Sequence, residues 1–101
     1  MVITDKIDLY LRTMDTFKDN RITVNSFFRE FSPEVEESQL VWHRDKCDRR
    51  VTVMSGKNWK IQFDNELPKE LIPGKIFFIP KMVFHRIWRG EDMLRLRIEE
   101  S

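Results

Sequence analysis

The chain has two histidines, His43 and His85, and a carboxylate, Asp45, stands two residues after the first in the stretch VWHRDKCDRR. Residues two apart in a β-strand project in parallel, so His43 and Asp45 could reach one ion from a single strand while His85 arrives from a neighbour. Two imidazoles and one carboxylate make the facial ligand set of non-haem Fe(II) sites, which leaves positions open for substrate and for dioxygen or water. The same letters also suit a strand end that runs into a solvated, charged loop. The surrounding residues have to separate the two.

Arg49 follows closely and shares the parity of Val51 and Val53, which points it inward. A guanidinium stays protonated at any ordinary pH and cannot ligate a cation. Buried without a partner it would be costly, so it needs either a carboxylate (Asp48, Asp64 or a nearby Glu) or the anionic end of a small molecule. Arg50 and Arg86 turn outward by alternation, and Gln62 falls on the polar face opposite Ile61 and Phe63. Cys47 has cationic neighbours, yet with both histidines in the ligand set no base is left to activate its thiol. No general base stands out beyond the three ligands.

These side chains need strands to hold them. After the polar loop SPEVEES the sequence alternates with period two, predicting strands over 39–45, 49–54, 58–64, 75–80, 85–88 and 93–99, with turn signals at SGKN, DNELPKE, IPG and RGED. Short strands separated by frequent turns indicate an all-β antiparallel sandwich or barrel rather than βαβ units. The apolar member of each alternation marks the interior: Val51 and Val53, then Trp59, Ile61 and Phe63, then Leu94, Leu96 and Ile98. Over 39–45 both faces are partly apolar; if Val41 faces in, so do His43 and Asp45. Ahead of the loop, Ile7, Tyr10, Leu11, Met14 and Phe17 recur at helical spacing and predict an amphipathic helix over 5–17, with Thr4 or Asp5 as cap. ITVNSFFREF is ambiguous between strand and helix.

At 101 residues the chain fits one domain, read as an N-terminal helix and lead-in over 1–36 and a barrel core over 37–101. The 18 basic and 17 acidic residues are interleaved with no basic stripe, which argues against a nucleic-acid partner. The single cysteine allows no internal disulfide and suits a reducing compartment, so a cytoplasmic protein is expected. Asp5, Lys6 and Asp8 interrupt the place where a signal peptide needs an apolar core, and the longest apolar runs are too short to span a bilayer, so no membrane partner is expected.

GKIFFIPKMVFH sets Gly74, Pro80 and His85 at the spacing of the second motif of the cupin family, which the chain resembles from Glu37 to Ile98. His43 and Asp45 resemble the ligand pair of the first motif, with Gly56 at its closing glycine. Several positions depart from the pattern: Glu37 for the first glycine, Asp45 for the second histidine, Arg49 for the usual Glu ligand, Met82 for a glycine and Arg89 for an Asn. The resemblance implies a small jelly-roll barrel with His43, Asp45 and His85 as ligands of a divalent metal, Fe(II) first and Ni, Zn or Mn as alternatives. It implies an Fe(II) oxygenase-like protein acting on a small carboxylate-bearing molecule oriented by Arg49. A non-catalytic small-anion-binding cupin and a metal-dependent isomerase or lyase are the alternatives. Arg95 and Arg97 lie where many 2-oxoglutarate oxygenases place a cosubstrate-binding residue, but Leu94, Leu96 and Ile98 claim the interior. Edge-strand pairing in cupins, with the surplus aromatics Trp42, Trp88 and Phe27 to Phe31, adds the expectation of a homodimer.

Overall fold

The computed structural model describes residues 16–101, so the helix expected over 5–17 lies, apart from its last two positions, outside the described residues. The strands are β1 (Lys18–Arg21), β2 (Ser26–Phe31), β3 (Arg49–Ser55), β4 (Lys60–Phe63), β5 (Lys69–Glu70), β6 (Ile76–Ile79), β7 (His85–Trp88) and β8 (Leu94–Glu100). They form a five-stranded sheet in the order β1, β2, β8, β3, β6 and a three-stranded sheet in the order β5, β4, β7. All pairings are antiparallel. This is the all-β sandwich that the alternation predicts. No helix among the described residues is long and apolar enough to cross a membrane.

The two longest strands show why the sequence folds this way. In β3 (RRVTVMS) Val51 and Val53, and in β8 (LRLRIEE) Leu94, Leu96 and Ile98, recur at every second position, and register pairs Val51 with Ile98 and Val53 with Leu96. All four are at most 3% exposed, as is Leu94, while Arg95 stays outside. Burying one such side chain contributes on the order of 1.5–3 kcal/mol, so a one-residue slip would lose most of the core at once. From the smaller sheet Ile61 is buried, and Phe63 and Ile87 pack against the core. Trp59, just ahead of β4, is fully buried, and its indole Nε1–H donates to the Asp92 carbonyl at 2.7 Å.

One segment differs from expectation, and one that the pattern leaves open takes a definite form. The predicted strand over 39–45 is absent: Glu37–Gln39 form a 3-10 turn, and only His43 makes a bridge, to His85. With both faces partly apolar, neither alternation wins. Leu40, closing the 3-10 turn, takes the core position instead, and Val41 and Trp42 are left exposed. The ambiguous ITVNSFFREF contains β2, which turns back on β1 and pairs with β8 along its whole length. The hairpin of residues 18–31 is thus part of the larger sheet. Its inward set is Phe27, Arg29 and Phe31, and the arginine between two phenylalanines hides the period in the sequence.

Candidate metal centre

His85 opens β7, and its position follows from the turn before it. Val83 N–H donates to the Pro80 carbonyl at 3.3 Å across a turn in which Met82 has a φ of 64°. This left-handed conformation suits glycine, the residue that the resembling motif carries there. Beyond the turn the chain enters β7 with His85 inward, 2% exposed. His43 is fixed opposite by two backbone hydrogen bonds, His43 N–H to the His85 carbonyl at 2.9 Å and His85 N–H to the His43 carbonyl at 2.8 Å. Asp45 is tied to the same turn, its carbonyl accepting from Met82 N–H at 2.7 Å. Two segments distant in sequence thus carry the three side chains to one place.

Both imidazoles are held in the same way. Nδ1 of His43 lies 3.0 Å from the Val41 carbonyl, and Nδ1 of His85 lies 2.9 Å from the Val83 carbonyl. A carbonyl only accepts, so each Nδ1 carries the proton, and in the neutral ring Nε2 is left with a free lone pair. The rings stand 4.3 Å apart at 58°. Ligand atoms of His43, Asp45 and His85 lie within 4.8 Å of one another, a group able to hold a metal ion.

The third donor is Asp45. Its Oδ2 is buried without a hydrogen bond of acceptable geometry and sits 3.3 Å from His85 Nε2. That contact bonds only when a proton or a cation lies between the two atoms. Burial raises the pKa of the Asp45 carboxyl, but the side chain of His85 and the Arg49 guanidinium together outweigh it and hold it below the usual carboxylate range. His43 is exposed as a residue, yet its ring packs against His85. Partial burial, with help from His85 and Arg49 against the opposing pull of Asp45 and the Val41 hydrogen bond, lowers its pKa from the ordinary histidine value. A neutral His43 and an ionised Asp45 are the states in which both can ligate a metal. The orphaned carboxylate oxygen and the preset Nδ1–H tautomers fit a divalent cation.

Arg49, placed inward as its parity predicts, is held by chain carboxylates. Its Nε and Nη2 donate to Glu100 Oε2 at 3.0 and 2.8 Å, and its Nη1 lies 3.4 Å from Asp45 Oδ1. The partners are thus Glu100 and Asp45, not Asp48 or Asp64. Ligands and arginine line one end of a cavity of about 420 Å³, whose remaining wall is mostly apolar and includes Phe31, Val51, Phe77 and Leu96. Arg29 also reaches this wall, a residue sequence reasoning passed over. Its place between Phe27 and Phe31 was the available signal. It is neutralised by two hydrogen bonds to Asp19, at 2.8 and 2.9 Å. Arg50 pairs with Glu99 at 3.0 Å, and Arg86 lies against the Trp88 ring. Gln62 accepts from Trp88 Nε1–H at 3.0 Å and donates to the Glu66 carbonyl at 2.9 Å, which makes it a brace for the outer face. Cys47 is half-buried and lies outside the cavity lining.

No protein-family model matches the chain, and no curated protein does. Solved structures match its architecture. A cupin-2 domain protein from Shewanella frigidimarina NCIMB 400 superposes with a TM-score of 0.63 at 24% identity, covering 98% of this chain and 92% of its own. An RmlC-like cupin with a double-stranded beta-helix fold from Methanocaldococcus jannaschii gives 0.65 at 12% identity, covering 84% of this chain and 77% of its own. A chain from the crystal structures of DMSP lyases gives 0.65 at 18% identity; 75% of this chain is covered but only 37% of that one. The chain thus has the fold of these cupin structures, two antiparallel sheets with a His-Asp-His group on the wall of the cavity.

Proposed function

We propose that the protein is a metal-dependent cupin of the Fe(II) oxygenase kind, acting on a small carboxylate-bearing molecule whose apolar body lies in the cavity. The observation that carries this reading is the convergence, within 4.8 Å, of two histidines and a carboxylate on the wall of that cavity. A divalent ion held there would supply Lewis-acid polarisation and, as Fe(II), the capacity to activate dioxygen. The carbonyls of Val41 and Val83 orient the rings, and the mostly apolar wall suits the apolar body of the molecule. Asp45 and Glu100 against Arg49 leave this end with one net negative formal charge, which suits a cation. Loaded with a divalent ion it carries one net positive charge, which a monocarboxylate neutralises.

Beside the three ligands, the polar lining among the described residues is Thr16, Arg29, Gln39 and Arg49. None is a base at neutral pH, which disfavours a lyase or isomerase that must abstract a proton. The same fact supports a second reading, a non-catalytic cupin that binds a small anion. Anaerobic loading with Fe(II), followed by oxygen uptake in the presence of a series of monocarboxylates, separates the two. Uptake above that of free Fe(II), lost in His43→Ala, is expected. Carboxylate binding to loaded protein without uptake favours the binding reading, and failure to retain any metal through gel filtration ends the metal reading.

A further inference from the structure

We infer that Arg49 is a positioning residue of the metal centre: anchored by Glu100, it holds Asp45 by Oδ1 and so leaves Oδ2 as the donor aimed at the ion. The inference rests on the metal reading above but concerns a residue that cannot itself ligate. Arg49 opens β3, where it is the cross-strand partner of Glu100 on β8 and of Ile79 on β6, and it shares the inner face of Val51. Its guanidinium is therefore carried into the cavity from a strand that is paired on both sides. Asp45 belongs to no strand; its own carbonyl is held by Met82 N–H, and the segment before it by the bridge of His43 to His85.

The three donors of Arg49 divide the work. Nε and Nη2 both meet Glu100 Oε2, which fixes the plane of the fork, and Nη1 is left to face Asp45 Oδ1 at 3.4 Å. The ring of Phe27 lies 5.8 Å from Cζ and bounds the group on one side. With Oδ1 turned to Arg49, Oδ2 is the oxygen facing His85 Nε2 at 3.3 Å. The carboxylate is thereby set to bind through one oxygen. This also accounts for an arginine where a metal-binding chain would be expected to avoid one: its charge is balanced by two carboxylates, and its geometry serves the ligand beside it. Lysine would keep the charge but, as a single point donor, could not grip Glu100 and Asp45 in these two directions together.

The test is Co(II) titration of the wild type, Arg49→Lys and Glu100→Gln, reading affinity and the visible d–d spectrum, with melting temperature measured on the metal-free proteins. Arg49→Lys is expected to weaken Co(II) binding roughly ten- to a hundredfold, the usual effect of removing a group that orients a ligand. Its d–d band should change in intensity, as Asp45 becomes free to bind through both oxygens, while the metal-free melting temperature changes little. Glu100→Gln loosens the same fork and should shift affinity and spectrum in the same direction by less. Arg49→Lys with wild-type Co(II) affinity and spectrum overturns the inference. If that variant instead loses only carboxylate affinity, Arg49 is a ligand anchor. Affinity losses in both variants that merely follow losses of melting temperature make it a structural staple. If the wild type itself binds no Co(II), the metal reading falls and this inference falls with it.

Discussion

His43→Ala should remove the metal while leaving the fold nearly intact, and the size of the effect follows from where the two histidines sit. His85 is 2% exposed, so its truncation opens a hole in the core as well as deleting a ligand. His43 is an exposed residue whose anchoring is mainly through its backbone, and both hydrogen bonds to His85 survive loss of the ring. What disappears is the Nδ1–H bond to the Val41 carbonyl, about 0.5–1.5 kcal/mol, partly replaced by water. The metal-free variant should therefore melt within about 4–8 °C of the wild type, the shift that about 1 kcal/mol produces in a domain this small. A divalent ion at a hundredfold excess over its Kd stabilises the wild type by about 2.7 kcal/mol, or about 11–22 °C. If losing one of three ligands weakens binding about a hundredfold, the same metal concentration stabilises the variant by only about 0.4 kcal/mol, or about 2–3 °C. Differential scanning fluorimetry with Zn(II), Ni(II) or Co(II), each against a chelator control, reads both quantities. A His43→Ala protein that keeps the full metal-induced shift would refute the assignment of His43, and with it the three-residue centre.

His85→Ala should abolish stoichiometric metal too, but at a cost of about 2–4 kcal/mol in the metal-free protein, from the cavity and the unpaired Val83 carbonyl; metal analysis beside chemical denaturation checks both. Gly90→Ala should destabilise by about 2–4 kcal/mol, because a Cβ there would overlap the Lys57 carbonyl and the Trp59 ring; a variant that melts like the wild type would contradict the packing of the β7–β8 connection. Met82→Gly should raise stability by about 0.5–1 kcal/mol by relieving the left-handed backbone, a gain readable as a higher urea midpoint at unchanged slope. A homodimer through the outer edge of β6, where Phe78 is 65% and Ile76 48% exposed, should sediment at twice 12.3 kDa and revert to monomer in Phe78→Lys; a wild type that sediments only as monomer removes the dimer.

The sheet was legible wherever one face of a strand is clearly apolar. Val51, Val53, Leu94, Leu96 and Ile98 are inside because nothing competes with their alternation. The stretch 39–45 was misjudged because Leu40 and Trp42 are as apolar as Val41, so parity could not choose and the chain forms no strand there. His43 and Asp45 nevertheless reach His85, held by one backbone bridge that no periodicity signals. β5 escaped notice because a two-residue strand of Lys69 and Glu70 has no pattern at all. The partner of Arg49 could be narrowed to a carboxylate by electrostatics, but Glu100 was singled out only by the register of β3 against β8. Of the aromatics expected to be surplus, Trp42 is exposed but Phe27 and Phe31 are core, and the exposed apolar sheet edge is Ile76 and Phe78.

The bridge between His43 and His85 has a kinetic meaning as well. Two of the three ligands sit on a segment outside the ladders of both sheets, joined by two backbone hydrogen bonds to His85 on β7 and by one to Met82 in the turn before it. Local opening of that segment costs far less than global unfolding, and it carries His43 and Asp45 away together while His85 stays in the core. An ion held by all three would then leave when the segment frays, not by shedding ligands one at a time. Its exchange rate should follow the amide hydrogen exchange of His43, His85 and Met82, and bound metal should slow those three amides more than any in β3 or β8.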